Sequence, residues 1–264
     1  MTRKHRFTPD MRNGRTRKFI PNTVTILNMF LGFLSVLSAI AGNYEMAGWL
    51  IFAGAISDSL DGKLARALGT SSIFGIQFDS LADLITFCLA PSVLVYLLWA
   101  QPLGLVIGGF FAFMPLMMGA IRLARFNLEA TSDQRHKFLG IPSPLMALTI
   151  VGLYLFYLRA GDFGLSSWTQ RAPTGDSRVV LPLVMIVSSL MLSKIPFPKF
   201  PPLTFRHGIR ASLPLLMVIV CTLGIFLTRG LILLPLALLV ILTALVAWTQ
   251  TQRLADNDSI EEPT

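Results

Sequence analysis

Residues 57–83 read SDSLDGKLARALGTSSIFGIQFDSLAD and hold Asp58, Asp61, Asp79 and Asp83. These four are the only acidic residues between Met46 and Leu128, and the chain on either side is apolar. An Asp inside a bilayer costs about 3 kcal/mol on insertion scales, so four together call for a physical reason.

Positions three or four apart share one face of a helix. Asp58 and Asp61 are spaced i,i+3 at the end of one apolar segment, and Asp79 and Asp83 i,i+4 near the start of the next. The eight-residue connection 67–74 makes these segments antiparallel neighbours with both acidic faces at similar depth. Gly54, Gly62, Ala65 and Gly75 are small enough for close helix approach there. Lys63 and Arg66 leave the cluster two negative charges in excess, which a divalent cation would offset. Oxygen-only donors favour Mg2+, Mn2+ or Ca2+ over zinc. Asp58, Asp61 and Asp79 suit one ion, with Asp79 and Asp83 helping to hold a second, and such a pair suits phosphoryl transfer.

Two plainer readings compete. Helix-end acids can snorkel to water beside Lys and Arg, which would account for one Asp better than for four at this spacing. A cation-coupled transporter without catalysis would also bury carboxylates. Gly62 and Arg66 separate it from an enzyme: a glycine lets phosphate oxygens approach the backbone, and an arginine one turn on offers them a charged fork.

The whole chain fits a membrane setting. It has 264 residues, 53% hydrophobic and only 14% charged, with a mean hydropathy of +0.66. That charge content is well below the roughly 25% of soluble domains, and predicts an all-α polytopic membrane protein. A span needs about 20 mostly apolar residues. Eight candidates fall at about 20–42, 46–66, 75–99, 103–124, 140–159, 179–194, 211–228 and 231–250. The expected organisation is a basic arm (1–18), a transmembrane catalytic domain (19–250) and a polar tail (251–264).

The first eighteen residues carry seven Lys or Arg against one Asp. Beside an apolar run such an arm fixes topology and touches anionic lipid, so nucleic acid is not an expected partner. A signal peptide is not expected either, because no small-residue cleavage site follows a short apolar core. With the arm inside and eight spans, both termini are cytoplasmic, and 18 Lys and Arg lie inside against 4 outside. Cys88 and Cys221 match no metal or redox spacing and read as packing residues, and His5, His136 and His207 show no ligand or triad spacing.

The pattern Asp58-x2-Asp61-Gly62-x2-Ala65-Arg66-x8-Gly75-x3-Asp79-x3-Asp83 resembles the complete signature of the CDP-alcohol phosphotransferases, with every gap kept. The resemblance implies transfer of a phosphatidyl-type group from a CDP-linked lipid to an alcohol, with release of CMP. It implies two divalent ions, Mg2+ or Mn2+, on the four aspartates, with Asp83 also the general base for the incoming hydroxyl. Gly62 and Arg66 would contact the diphosphate, and Ser72 would add a further contact. Asn22 and Thr25, in the PNTVT stretch, would touch cytidine, although an Asn-x-x-Thr pair near a helix start is also a plain cap.

The stretches IPNTVT (20–25), GAIRLARFN (119–127) and FLGIPSP (138–144) resemble the membrane-integral branch of that family whose acceptor is L-serine and whose donor is CDP-diacylglycerol. A serine beside the first Asp and the long basic arm depart from that branch. The resemblance further implies a homodimer in a bacterial inner membrane, with the site facing the cytoplasm. Sister enzymes that use glycerol 3-phosphate or an inositol phosphate remain the nearest alternative.

A serine acceptor needs a cation for its carboxylate, and Arg122 and Arg125 are the candidates. Both also fit a role as positive-inside anchors, and Asn127 beside them reads as less important. Pro142 and Pro144 are expected to break or kink the fifth helix near the same face.

Overall fold

A chain segment in lipid must satisfy its backbone internally, and a helix does so within one segment. Every regular element among the described residues is accordingly helical. The computed structural model describes residues 11–68, 73–131, 140–160, 175–193, 195 and 220–260, with side chains described for 23–60, 74–128, 140–160, 175–193, 195 and 220–252.

The long elements are α1 (Met11–Ile40), α2 (Tyr44–Leu68), α3 (Ile73–Asp83) with its continuation α4 (Ala90–Val95), α5 (Leu105–Thr131), α6 (Ser143–Ala160), α7 (Ser177–Ser189) and α8 (Leu233–Ile260). Residues 220–227 are also helical. Five stretches among the described residues are long and apolar enough to cross a membrane: Thr23–Ile40, Phe74–Leu103, Leu105–Leu128, Ser143–Ala160 and Leu233–Gln252. The chain is an integral membrane protein. α2, the shorter α7 and the helical 220–227 occupy the places of the other three expected spans.

Small polar residues hold α1 to α2. Thr25, Asn28, Gly32, Ser35 and Ala39 recur at spacings of three and four and are all buried, while Ile26, Phe30, Phe33, Leu37 and Ile40 on the other face are exposed. In lipid, apolar surface gives no drive to associate, so close packing and interhelical hydrogen bonds must do it. Ser35 Oγ donates to Ala47 O at 2.9 Å, and Ser57 Oγ to Val24 O at 3.4 Å. Ser57 thus serves as a helix tie.

α3 and α4 form one rod with two π-helical segments, Leu84–Leu89 and Tyr96–Ala100. The first starts at the residue after Asp83. Three helices make room for it with glycines. A Cβ on Gly32 of α1 would lie 2.4 Å from Thr86 Oγ1, one on Gly54 of α2 2.6 Å from Thr86 Cγ2, and one on Gly119 of α5 2.2 Å from Cys88 Sγ. The buried Cys88 is therefore a packing residue, as its sequence context implied. Apolar packing continues away from this point through Ile51, Phe87, Leu94, Trp99, Met146 and Ile150.

Two boundaries differ from expectation. α1 begins at Met11, so helix extends back into the stretch read as a polar arm. Arg and Lys are good helix formers, and once the apolar part is helical the preceding turns extend it cheaply. The prolines of GIPSP start α6 and do not kink it: Pro142 precedes the helix and Pro144 lies in its first turn, where no intrahelical N–H is needed. The loop before them is clamped, with Gly140 N donating to Ile195 O at 2.9 Å and Ile141 N to Leu190 O at 3.2 Å. Gly140 has φ +83°, and a Cβ there would meet Met191 O at 2.1 Å, so a glycine is required.

Candidate active site

Asp58 sits in the last part of α2, and Asp79 and Asp83 on one face of α3. The two helices bring the three carboxylates together. One oxygen from each lies within 4.8 Å of the others, and all three residues are half-buried. Asp61 and Gly62 follow on α2, together with Arg66; their side chains lie outside the described residues, as does that of Asn22, and Ser72 lies outside altogether. The donor set is hard, anionic and oxygen-only, and its spacing lets three ligands converge on one ion. These residues fit a hard divalent metal ion.

Thr25 is buried on α1, at 5% exposure. Asn22 and Thr25 both lie well inside a helix that starts at Met11, so the capping reading of that pair falls away.

α5 brings the basic component. Arg122 is half-buried and lies near Asp83. Its Nη1 donates to Ser143 Oγ at 3.0 Å. Ser143 is fully buried at the start of α6, where the clamped GIPSP loop places it. Arg125, one turn on, is exposed. The pair that looked equivalent in sequence is thus divided, with Arg122 half-buried near Asp83 and Arg125 exposed.

A polar clasp joins α3 to α5 beside the site. Asn127 Nδ2 donates to Gln77 Oε1 at 3.1 Å, and Ser80 Oγ lies 3.0 Å from Asn127 Oδ1 and 3.1 Å from Ile76 O. Gln77 and Ser80 flank Asp79 in sequence, so the clasp sets the rotation of the helix that carries it. Sequence reading passed over Gln77, Ser80 and Ser143. The available signal was polarity: an amide or hydroxyl inside an apolar span needs a partner.

At the opposite end of the bundle Arg159 Nη2 makes an ion pair with Glu45 Oε1, joining the end of α6 to the start of α2.

Residues 18–250 match the profile of the CDP-alcohol phosphatidyltransferase family. The chain belongs to that family. Among its relatives is a CDP-diacylglycerol–serine O-phosphatidyltransferase of Helicobacter pylori (strain ATCC 700392 / 26695), 36% identical over 180 residues, covering 68% of this chain and 72% of that protein. Proteins of the same name from Methanocaldococcus jannaschii and Bacillus subtilis are 32% and 34% identical. They cover 75% and 69% of this chain, and 83% and 91% of their own lengths.

Proposed function

We propose that this membrane enzyme transfers a phosphatidyl group from CDP-diacylglycerol to L-serine, giving phosphatidylserine and CMP. The observation that carries the reading is the convergence of Asp58, Asp79 and Asp83 beside a half-buried Arg122, in a chain whose named relatives are serine O-phosphatidyltransferases.

The lipid tails stay in the bilayer while the CDP head reaches the carboxylate end. Asp58, Asp61, Asp79 and Asp83 hold the divalent metal, two ions of Mg2+ or Mn2+. When bound, the metal neutralises charge that develops on the diphosphate oxygens. Gly62, Arg66 and Ser72 receive the diphosphate, and Asn22 and Thr25 the cytidine. Arg122 grips the serine carboxylate, its guanidinium oriented by Ser143. Asp83 takes the proton of the serine hydroxyl as that oxygen bonds to the β-phosphorus. The bond from this phosphorus to the bridging oxygen breaks, and CMP departs. Placing the acceptor oxygen in line with the phosphorus is the bundle's main contribution to rate. The carboxylate end faces the cytoplasm of a bacterial inner membrane, and the enzyme works as a homodimer.

Purified protein supplied with CDP-diacylglycerol and Mg2+ or Mn2+ is expected to release CMP with L-serine, and to stop when the metal is chelated. CMP release with glycerol 3-phosphate or an inositol phosphate but not with serine would replace the acceptor assignment. Metal-dependent cation flux without CMP release would replace the enzyme by a transporter.

A further inference from the structure

Asn28 is fully buried on α1, and neither its Oδ1 nor its Nδ2 has a hydrogen-bond partner among the described residues. A buried amide in that condition costs free energy, so its retention needs a reason. Its surroundings are built to seat it. Thr86 Oγ1 donates to Asn28 O at 2.9 Å, and a Cβ on Gly54 would crowd Asn28 Oδ1 at 3.0 Å.

The register of three helices places this amide under the carboxylates. Asn28 is three residues beyond Thr25 on α1, Gly54 four before Asp58 on α2, and Thr86 three after Asp83 on the rod. On α1 and α2 each step is about one α-helical turn, roughly 5 Å, and on the rod Thr86 lies in the π-helical segment that starts after Asp83; each leads away from the carboxylate end. Asn28, Gly54 and Thr86 therefore form the layer directly beneath the acids. A buried group with a free donor and a free acceptor suits an ordered water, which needs two to four polar partners.

We propose that Asn28 is a positioning residue of the metal site, its amide holding a buried water that hydrogen-bonds to the carboxylate layer above. The water fixes the carboxylates in the orientation that binds the ion, as outer-shell partners of metal ligands generally do. The proposal rests on the metal site described under the proposed function.

The test is Mn2+ binding to the full-length protein in detergent or nanodiscs, read by electron paramagnetic resonance titration alongside thermal unfolding. Asn28→Leu, which fills the layer and expels water, is expected to weaken Mn2+ binding about 10- to 100-fold. Asn28→Ser keeps a polar atom and leaves room for water, so it should stay within about threefold of wild type. Asn28→Ala, which leaves room but no partner, should fall between them and serves in place of Asn28→Leu if that variant does not fold. A packing role alone would lower the unfolding temperature and leave Mn2+ affinity of the folded protein unchanged; that result overturns the proposal. The Asp79→Asn protein separates the two levels. If it loses Mn2+ while Asn28→Leu and Asn28→Ala both bind as wild type, only the Asn28 inference fails. If wild-type protein binds no Mn2+, or Asp79→Asn binds it equally well, the metal reading falls and takes the inference with it.

Discussion

At one end of the bundle the Glu45 carboxylate meets the Arg159 guanidinium, and the pair neutralises itself across α2 and α6. At the other end three carboxylates stand within 4.8 Å of one another, with Arg122 as the half-buried cation nearby among the described residues. The difference separates two uses of charge in a membrane protein. A self-cancelling pair near a helix terminus ties elements together. A cluster of carboxylates gathered at a shared point suits a cation or a charged substrate, which offsets its desolvation and repulsion.

This contrast can be broken most severely at Asp83. Asp83→Asn keeps the volume and removes the base, so turnover should fall by about 10^2 to 10^4-fold while CDP-lipid binding is largely spared. Near-normal CMP release from that variant would refute the base assignment.

Arg122 and Arg125 give the next largest effect, and a sharper one because they act as each other's control. Loss of a charged hydrogen bond to serine in Arg122→Ala should cost about 1.5–3 kcal/mol, which is roughly a 10- to 100-fold rise in the KM for serine. The exposed Arg125→Ala should change it by less than about threefold, within the range of ordinary surface substitutions. Equal effects in the two variants would mean that both arginines only anchor the helix.

Gly54→Ala probes the seat of the π turn. A Cβ 2.6 Å from Thr86 Cγ2 and 3.0 Å from Asn28 Oδ1 forces α1, α2 and the rod apart. Overpacking of this kind costs about 1–3 kcal/mol, measurable as a lower unfolding temperature in detergent. An unchanged temperature would show that the helices yield there without strain.

The smallest effect belongs to the opposite end. Glu45 is partly exposed, so Glu45→Gln should cost at most about 1 kcal/mol and leave CMP release intact. If activity dropped as far as in the Arg122 variant, the two ends would be coupled and the contrast between them would fail.

Much of this organisation was legible before any coordinates. Apolar runs of span length and the basic bias of alternate loops are one-dimensional signals, and helix is the answer lipid imposes on them. The aspartate spacing was equally direct, because i,i+3 and i,i+4 positions share a face whatever the surrounding fold. Less was visible at the edges of elements: α1 starts at Met11 and α6 at Ser143, where helix propensity, a clamped loop and a tolerated proline decide the boundary. The roles of Gln77, Ser80, Asn127 and Ser143 were hidden for a different reason. Each depends on a partner 21 to 50 residues away, and no local pattern specifies which hydroxyl will face which amide.

From the sequence alone came the membrane setting, the helical class, the acidic pair on each of two neighbouring helices, and the resemblance that made them a CDP-alcohol phosphotransferase signature. These follow from composition and periodicity, which are properties of single segments. Tertiary packing decided that Arg122 is half-buried and Arg125 exposed, that three glycines enclose the π turn after Asp83, and that the buried Asn28 amide sits against Gly54 and Thr86. Those facts depend on the rotation and contact of whole helices against one another, and that is set by close packing in three dimensions.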